Sequence, residues 1–107
     1  MTPISFAAAA MRLANVAFLL QQNDPTAYDR IIVALSRAMA EDPSSDCRYM
    51  AAYALESHVT GRGYVDQPTG RLCEPFWKKA TADGNEEVAE RAKDYMAWLA
   101  GKHDAPR

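Results

Sequence analysis

The chain has 107 residues, 49% of them hydrophobic and 24% charged, with a formal net charge of −2 and two cysteines. That length suits one domain with a single core, and the apolar share argues against global disorder. The charge balance excludes a general electrostatic pull toward nucleic acid or anionic membrane, and Cys47 and Cys73 are too few for a disulfide scaffold and read as reduced thiols of a cytoplasmic protein.

The opening Met1-Thr2-Pro3-Ile4-Ser5 lacks the basic n-region of a signal peptide. The apolar run 13–20 is closed by Arg12 and Gln21, short of the roughly 20 residues a membrane span needs. From Pro3 to Gln22 the pattern predicts a helix capped by Thr2 or Ser5, with Pro3 at a favoured first position. At about 100° per residue, Ile4, Met11 and Phe18 form one large apolar stripe and Phe6, Leu13 and Leu20 another. Between them runs a seam of Ala7, Ala10, Ala14 and Ala17, against which another helix can pack closely. So apolar a helix is expected at the centre of the fold, its seam against the second or third helix.

Asn23-Asp24-Pro25 reads as a stop and restart, with Asp24 as the next cap. The second helix, 25–40, buries Tyr28, Ile31, Ile32, Leu35 and Met39, and places Arg30, Ser36 and Arg37 away from that face, with Val33 off the stripe. Asp42-Pro43 repeats the signal, with Ser44, Ser45 and Asp46 as competing caps. The third helix, 44–59, buries Cys47, Met50, Ala51, Ala54, Leu55 and His58, and carries Tyr49 and Tyr53 on a flank. Gly61 is expected to close it in the left-handed conformation. Gly61, Gly63, Pro68, Gly70 and Pro75 then make 61–75 a loop-rich insertion. Tyr64-Val65 and Arg71-Leu72-Cys73 either pair there as a short hairpin or pack as an irregular loop. A short helix follows over 75–82. Asn85 caps the last helix, whose core stripe is Val88, Ala92, Tyr95, Met96 and Leu99, and 102–107 is a frayed tail. The expected fold is therefore all-α. It is a single-domain bundle of three longer N-terminal helices, a loop-rich insertion, a short helix and a C-terminal helix.

No catalytic constellation emerges. Cys47, His58, Cys73 and His103 match no zinc spacing, and His58 reads as a partly charged imidazole near a helix end. Neither cysteine has a base beside it in the pattern. Glu86, Glu87 and Glu90 read as solvated acids at a helix start. Gly61-Arg62-Gly63 is no phosphate loop. The reading is a non-enzyme with no metal and no cofactor. Segment 62–79 mixes Arg62, Arg71, Lys78 and Lys79 with Tyr64, Phe76 and Trp77. It is the alternative site, for nucleic acid, while the ordinary reading is that its aromatics pin the loop onto the core and its lysines stay in water.

The more informative signal is surplus apolar surface. Val16 and Leu19 fall beside Arg12 and Asn15 on the first helix, Tyr49 and Tyr53 flank the third, and Trp98 lies beside the last helix's core face. Aromatic, aliphatic and arginine side chains gathered this way mark a protein interface. Arg12, Asn15, Val16, Leu19, Tyr49, Tyr53 and Trp98 are thus the candidate partner-binding residues. The partner is either another protein or a second copy in a homodimer, with no membrane contact expected. The chain is short, acidic and helical, with an apolar, alanine-rich helix at 4–20 and no catalytic motif. In this make-up it resembles the small helical antiactivators that bacteria use against LuxR-type quorum-sensing regulators. Phage-encoded inhibitors of bacterial defence complexes share the make-up. The resemblance implies inhibition by occlusion: the target would be a transcriptional regulator, its ligand-binding or dimerisation surface would be covered, and its DNA occupancy would fall.

Overall fold

Four of the five helices begin where a side-chain oxygen takes over an orphan backbone N–H. Asp24 accepts from Ala27 N at 3.2 Å, Ser44 from Cys47 N at 3.4 Å, Asp66 from Thr69 N at 2.9 Å, and Asn85 from Glu87 N and Val88 N. The computed structural model describes residues 3–61 and 65–101, with side chains from residue 8 onward. Its elements are α1 (Pro3–Asn23), α2 (Pro25–Glu41), α3 (Ser45–Glu56) running into a π-helical turn (Ser57–Gly61), α4 (Gln67–Ala80) and α5 (Glu86–Leu99). The chain is an all-α globule, without strands among the described residues.

The expected insertion is where the structure departs most from the pattern. Residues 67–80 form one continuous helix, so neither the hairpin nor the loop over 67–75 exists, and the predicted short helix is only the second half of α4. Of the other arm, Tyr64-Val65, Val65 is buried in the core, and Tyr64 and the tail 102–107 lie outside the described residues. The three breakers fit the helix for different reasons. Pro68 lies in the first turn, where a missing N–H leaves no bond unmade. Pro75 removes a bond mid-helix, but Pro75 and Arg71 are both exposed, so water can satisfy the freed carbonyl. Gly70 is buried, and a Cβ there would come within 2.9 Å of Leu99 Cδ1 and 3.0 Å of the Trp98 ring. The glycine is what allows α5 to approach α4 so closely.

The centre is also displaced from expectation. α2 packs on α1, α3 and α4, while α3 packs on α1, α2 and α5. These two helices form the hub, with α1 on its flank. The largest fully buried side chains, Trp77, Tyr95, Ile32, Met39 and Leu55, come from α2 to α5. Among its described side chains α1 fully buries only Ala10, Ala14 and Ala17 of the predicted seam, with Met11 and Leu20 partly buried against the hub; Ala7 lies outside the described side chains. Leu13, placed by its stripe in the core, is 41% exposed.

Polar groups complete this core. Ser36, expected to point away, is fully buried: its hydroxyl donates to Ile32 O (2.8 Å) and accepts from Trp77 Nε1–H (2.9 Å). Gly61 does not adopt the left-handed conformation, because α3 widens into the π turn instead. Among the described residues only Gly101, just past α5, has a positive φ (73°). That turn brings both His58 and Val59 inside. Among the described residues, no buried side-chain nitrogen or oxygen lacks a partner.

Candidate protein-interaction surface

A helix that docks by its alanines must present its large side chains elsewhere. On α1, Val16 is 45% exposed and Leu19 70% exposed, and with Leu13 they form an outward aliphatic row. Arg12 and Asn15 are exposed beside it. Arg12 is the one ionisable residue between Pro3 and Asn23, so nothing else charged interrupts the row. Three of the five exposed large hydrophobics among the described residues lie on this one helix.

Asn15 also lines a cleft of about 320 Å³ between α1 and α3. Its far wall carries Tyr53, Ala54, Glu56 and Ser57, so the structure brings Asn15 and Tyr53 to one site. The tyrosines are held by α5. Arg91 donates from Nε to Glu56 Oε2 (3.0 Å), and its guanidinium lies 5.3 Å from the Tyr49 ring centre and 5.6 Å from that of Tyr53. In this arrangement Tyr49 is half-buried and Tyr53 remains 44% exposed. Trp98 does not join them. It sits two turns beyond Arg91 on α5, edge-on to Trp77 at 6.2 Å and against Gly70. Its ring closes the core rather than marking the surface.

Behind the row, His58 fastens α1 to the hub. Its Nε2 is 2.8 Å from Ala14 O and its Nδ1 is 3.0 Å from Tyr28 Oη, while Phe18 stacks on the ring at 4.0 Å. A carbonyl can only accept, so Nε2 carries a proton and donates. In the neutral ring Nδ1 then accepts from the Tyr28 hydroxyl. Burial lowers the His58 pKa, outweighing the opposite effect of the Ala14 bond. The expected partly charged imidazole is therefore a neutral one. Being fully buried, it cannot reach a substrate.

The cysteines are likewise internal. Both are free thiols, and burial pushes Cys73 up to about 11 against the opposing hydrogen bond with Ser36, which keeps it protonated. Among the described residues no three His, Cys, Asp or Glu side chains gather to hold a metal, and no helix is long and apolar enough to cross a membrane. In the basic, aromatic segment, Trp77 is fully buried and cannot stack a base, and half-buried Phe76 carries Arg37 over its ring at 5.4 Å. Tyr64 is outside the described residues.

A second groove, also about 320 Å³, was not foreseen. Val33, Ala34 and the 64%-exposed Leu72 line it, with Asp29, Arg30 and Arg37 around them. Reading Leu72 as part of a loop hid it. Once α4 is continuous, Leu72 is one more position on a helix face, opposite the inward Gly70 and Cys73 side. No family model matches the chain, and no match emerges among curated proteins or among solved structures.

Proposed function

We propose that the chain is a non-catalytic regulatory domain that binds another protein through the outer face of α1 and inhibits it by covering a surface needed for assembly. The observation that carries this reading is the inversion of α1: alanines toward the core, Leu13, Val16 and Leu19 toward solvent. A helix needed only for stability would bury its leucines, each worth about 2 kcal/mol when fully buried. Arg12 and Asn15 beside the row, and Tyr53 across the cleft, supply polar and aromatic contacts at the rim. A transcriptional regulator of the LuxR type is the target class the make-up suggests, with cytoplasmic inhibition of DNA binding as the outcome.

The test compares proteins captured from a bacterial lysate by the wild type, Leu19→Arg and Tyr53→Arg. Leu19 is exposed, so Leu19→Arg should keep the wild-type unfolding midpoint, while Tyr53→Arg loses the Arg91 contact and should lower it only slightly. A partner retained by the wild type and lost by both variants supports the reading. If that partner is a regulator, adding the wild type to its operator complex should lower DNA occupancy, and adding Leu19→Arg should not. Should folded variants retain every protein that the wild type retains, the face is wrong.

A further inference from the structure

The exposed row on α1 reads the same in both directions. Leu13, Val16 and Leu19 are spaced three residues apart, with the smaller Val16 in the middle. A surface that pairs with itself about a two-fold axis must have that property, because each residue to one side of the axis meets its counterpart from the other. The geometry points to an antiparallel homodimer in which α1 packs on the partner's α1, with Val16 on the two-fold axis. It takes the same face as the docking proposed above and rests on the exposure of that face, not on any target.

Charge selects the direction. In a parallel pair the single Arg12 of α1 would lie beside the partner's Arg12, a like-charge contact. In the antiparallel pair the two arginines are eight residues apart along the axis, about 12 Å, which exceeds a Debye length of about 8 Å. Each Arg12 instead lies opposite Leu20, in the last turn of the partner helix. That turn contains no basic residue, its carbonyl end carries partial negative charge, and the exposed Asp24 follows one turn on. Arg12 thus meets a complementary end that the partner offers in return.

Area sets the strength. With Val16 on the axis, the two α1 helices overlap over residues 9–23, about 21 Å, and faces about 10 Å across then cover on the order of 400 Å² in total. That is well below a standard specific interface. The dimer should accordingly be weak, in fast exchange with monomer and populated only at high protein concentration.

The closing experiment is disulfide trapping on the full chain. Facing helices 8–10 Å apart bring Cα atoms on the axis within disulfide range, and Cys47 and Cys73 are buried and do not compete. Under mild oxidation Val16→Cys should form a linked dimer at least about ten-fold faster than Leu72→Cys, a more exposed site on α4 (64% against 45%), and Leu19→Arg placed in the same chain should abolish that advantage. Leu13→Cys mixed with Leu19→Cys should link to each other faster than either links to itself. Equal rates for Val16→Cys and Leu72→Cys overturn the dimer. Self-linking of Leu13→Cys ahead of the mixed pair overturns the antiparallel register. Either failure is read on the pure chain and leaves the capture experiment to judge target docking separately.

Discussion

A histidine sealed between α1, α2 and the π turn has to remain in one charge state. For His58 that state is neutral, because burial opposes the cation and Nε2–H is already committed to Ala14 O. Its folded pKa lies below the ordinary 6.5, so the unfolded chain binds more protons in the window beneath that value. The stability it contributes is complete above pH 6.5 and is lost as pH falls toward the folded value, with a slope of at most about 1.4 kcal/mol per pH unit. In urea melts of wild type and His58→Gln, the stability difference should be largest near pH 7.5 and shrink toward pH 5. A difference that does not change with pH would mean that His58 does not titrate in this window. Periodicity alone put His58 on the inward face, and the structure agrees. The charge was misread because a histidine near a helix end suggests an exposed carbonyl terminus, whereas Phe18 and Ala14 of α1 cover it. Ser36 misled in the same way. Hydroxyl residues are usually assigned to solvent, but one inward donor, Trp77 Nε1–H, is enough to justify burial.

At the scale of the element, α1 and α4 show opposite limits of pattern reading. The alanine seam of α1 was legible because small residues at helical spacing have few other uses. Its position on the flank was not, since a helix apolar on every side is equally consistent with a central position and with one face awaiting a second molecule. The seam gives a direct expectation. Ala17 is fully buried, so Ala17→Leu must force α1 off the hub and should cost about 1–3 kcal/mol. Leu19→Arg, by contrast, should change stability by no more than about 0.5 kcal/mol. Denaturation midpoints, with proteolysis near the α1–α2 junction as a second readout, check both. Equal costs would place Leu19 in the core and remove the basis of the outward row. For α4 two prolines and a glycine pointed to a loop, and the cap at Asp66 carried no weight in the pattern. Only three-dimensional facts reverse that reading: which side of the helix Pro75 occupies, and that Trp98 and Leu99 require Gly70 to be bare.

Across the whole molecule, the turns that end α2 and α4 are locked together by one arginine. Arg48 donates from Nε to Asp83 Oδ2 at 2.7 Å and from a terminal nitrogen to Oδ1 at 3.3 Å, a bidentate pair. The same guanidinium reaches Asp42 O (2.9 Å) and Pro43 O (3.3 Å) in the α2–α3 turn. Asp83 Oδ1 also accepts from Asn85 N (2.8 Å), and Asn85 Nδ2 donates to Ser45 Oγ (3.1 Å), so the first residue of α3 and the cap of α5 are tied into the same cluster. The side chains are 21% and 7% exposed, which makes this more than a solvent-screened surface pair. Burial works against the Asp83 charge, but the bonds from Arg48 and Asn85 and the Arg48 charge outweigh it and hold the carboxyl below its ordinary value. Its contribution is therefore present above the unfolded carboxylate pKa, near 4, and disappears as pH falls through the lower folded value. Arg48→Met should cost about 1–2 kcal/mol at pH 7, because it strands a part-buried carboxylate and two turn carbonyls. Asp83→Asn should cost a similar amount at pH 7, and the loss should shrink as pH falls through the lowered folded value and the wild-type carboxyl protonates. In a double-mutant cycle the two losses should fall well short of adding, since each substitution breaks the same bond. Additive losses at pH 7 would show that the α2–α3 and α4–α5 turns hold independently, with the arginine serving only its own turn.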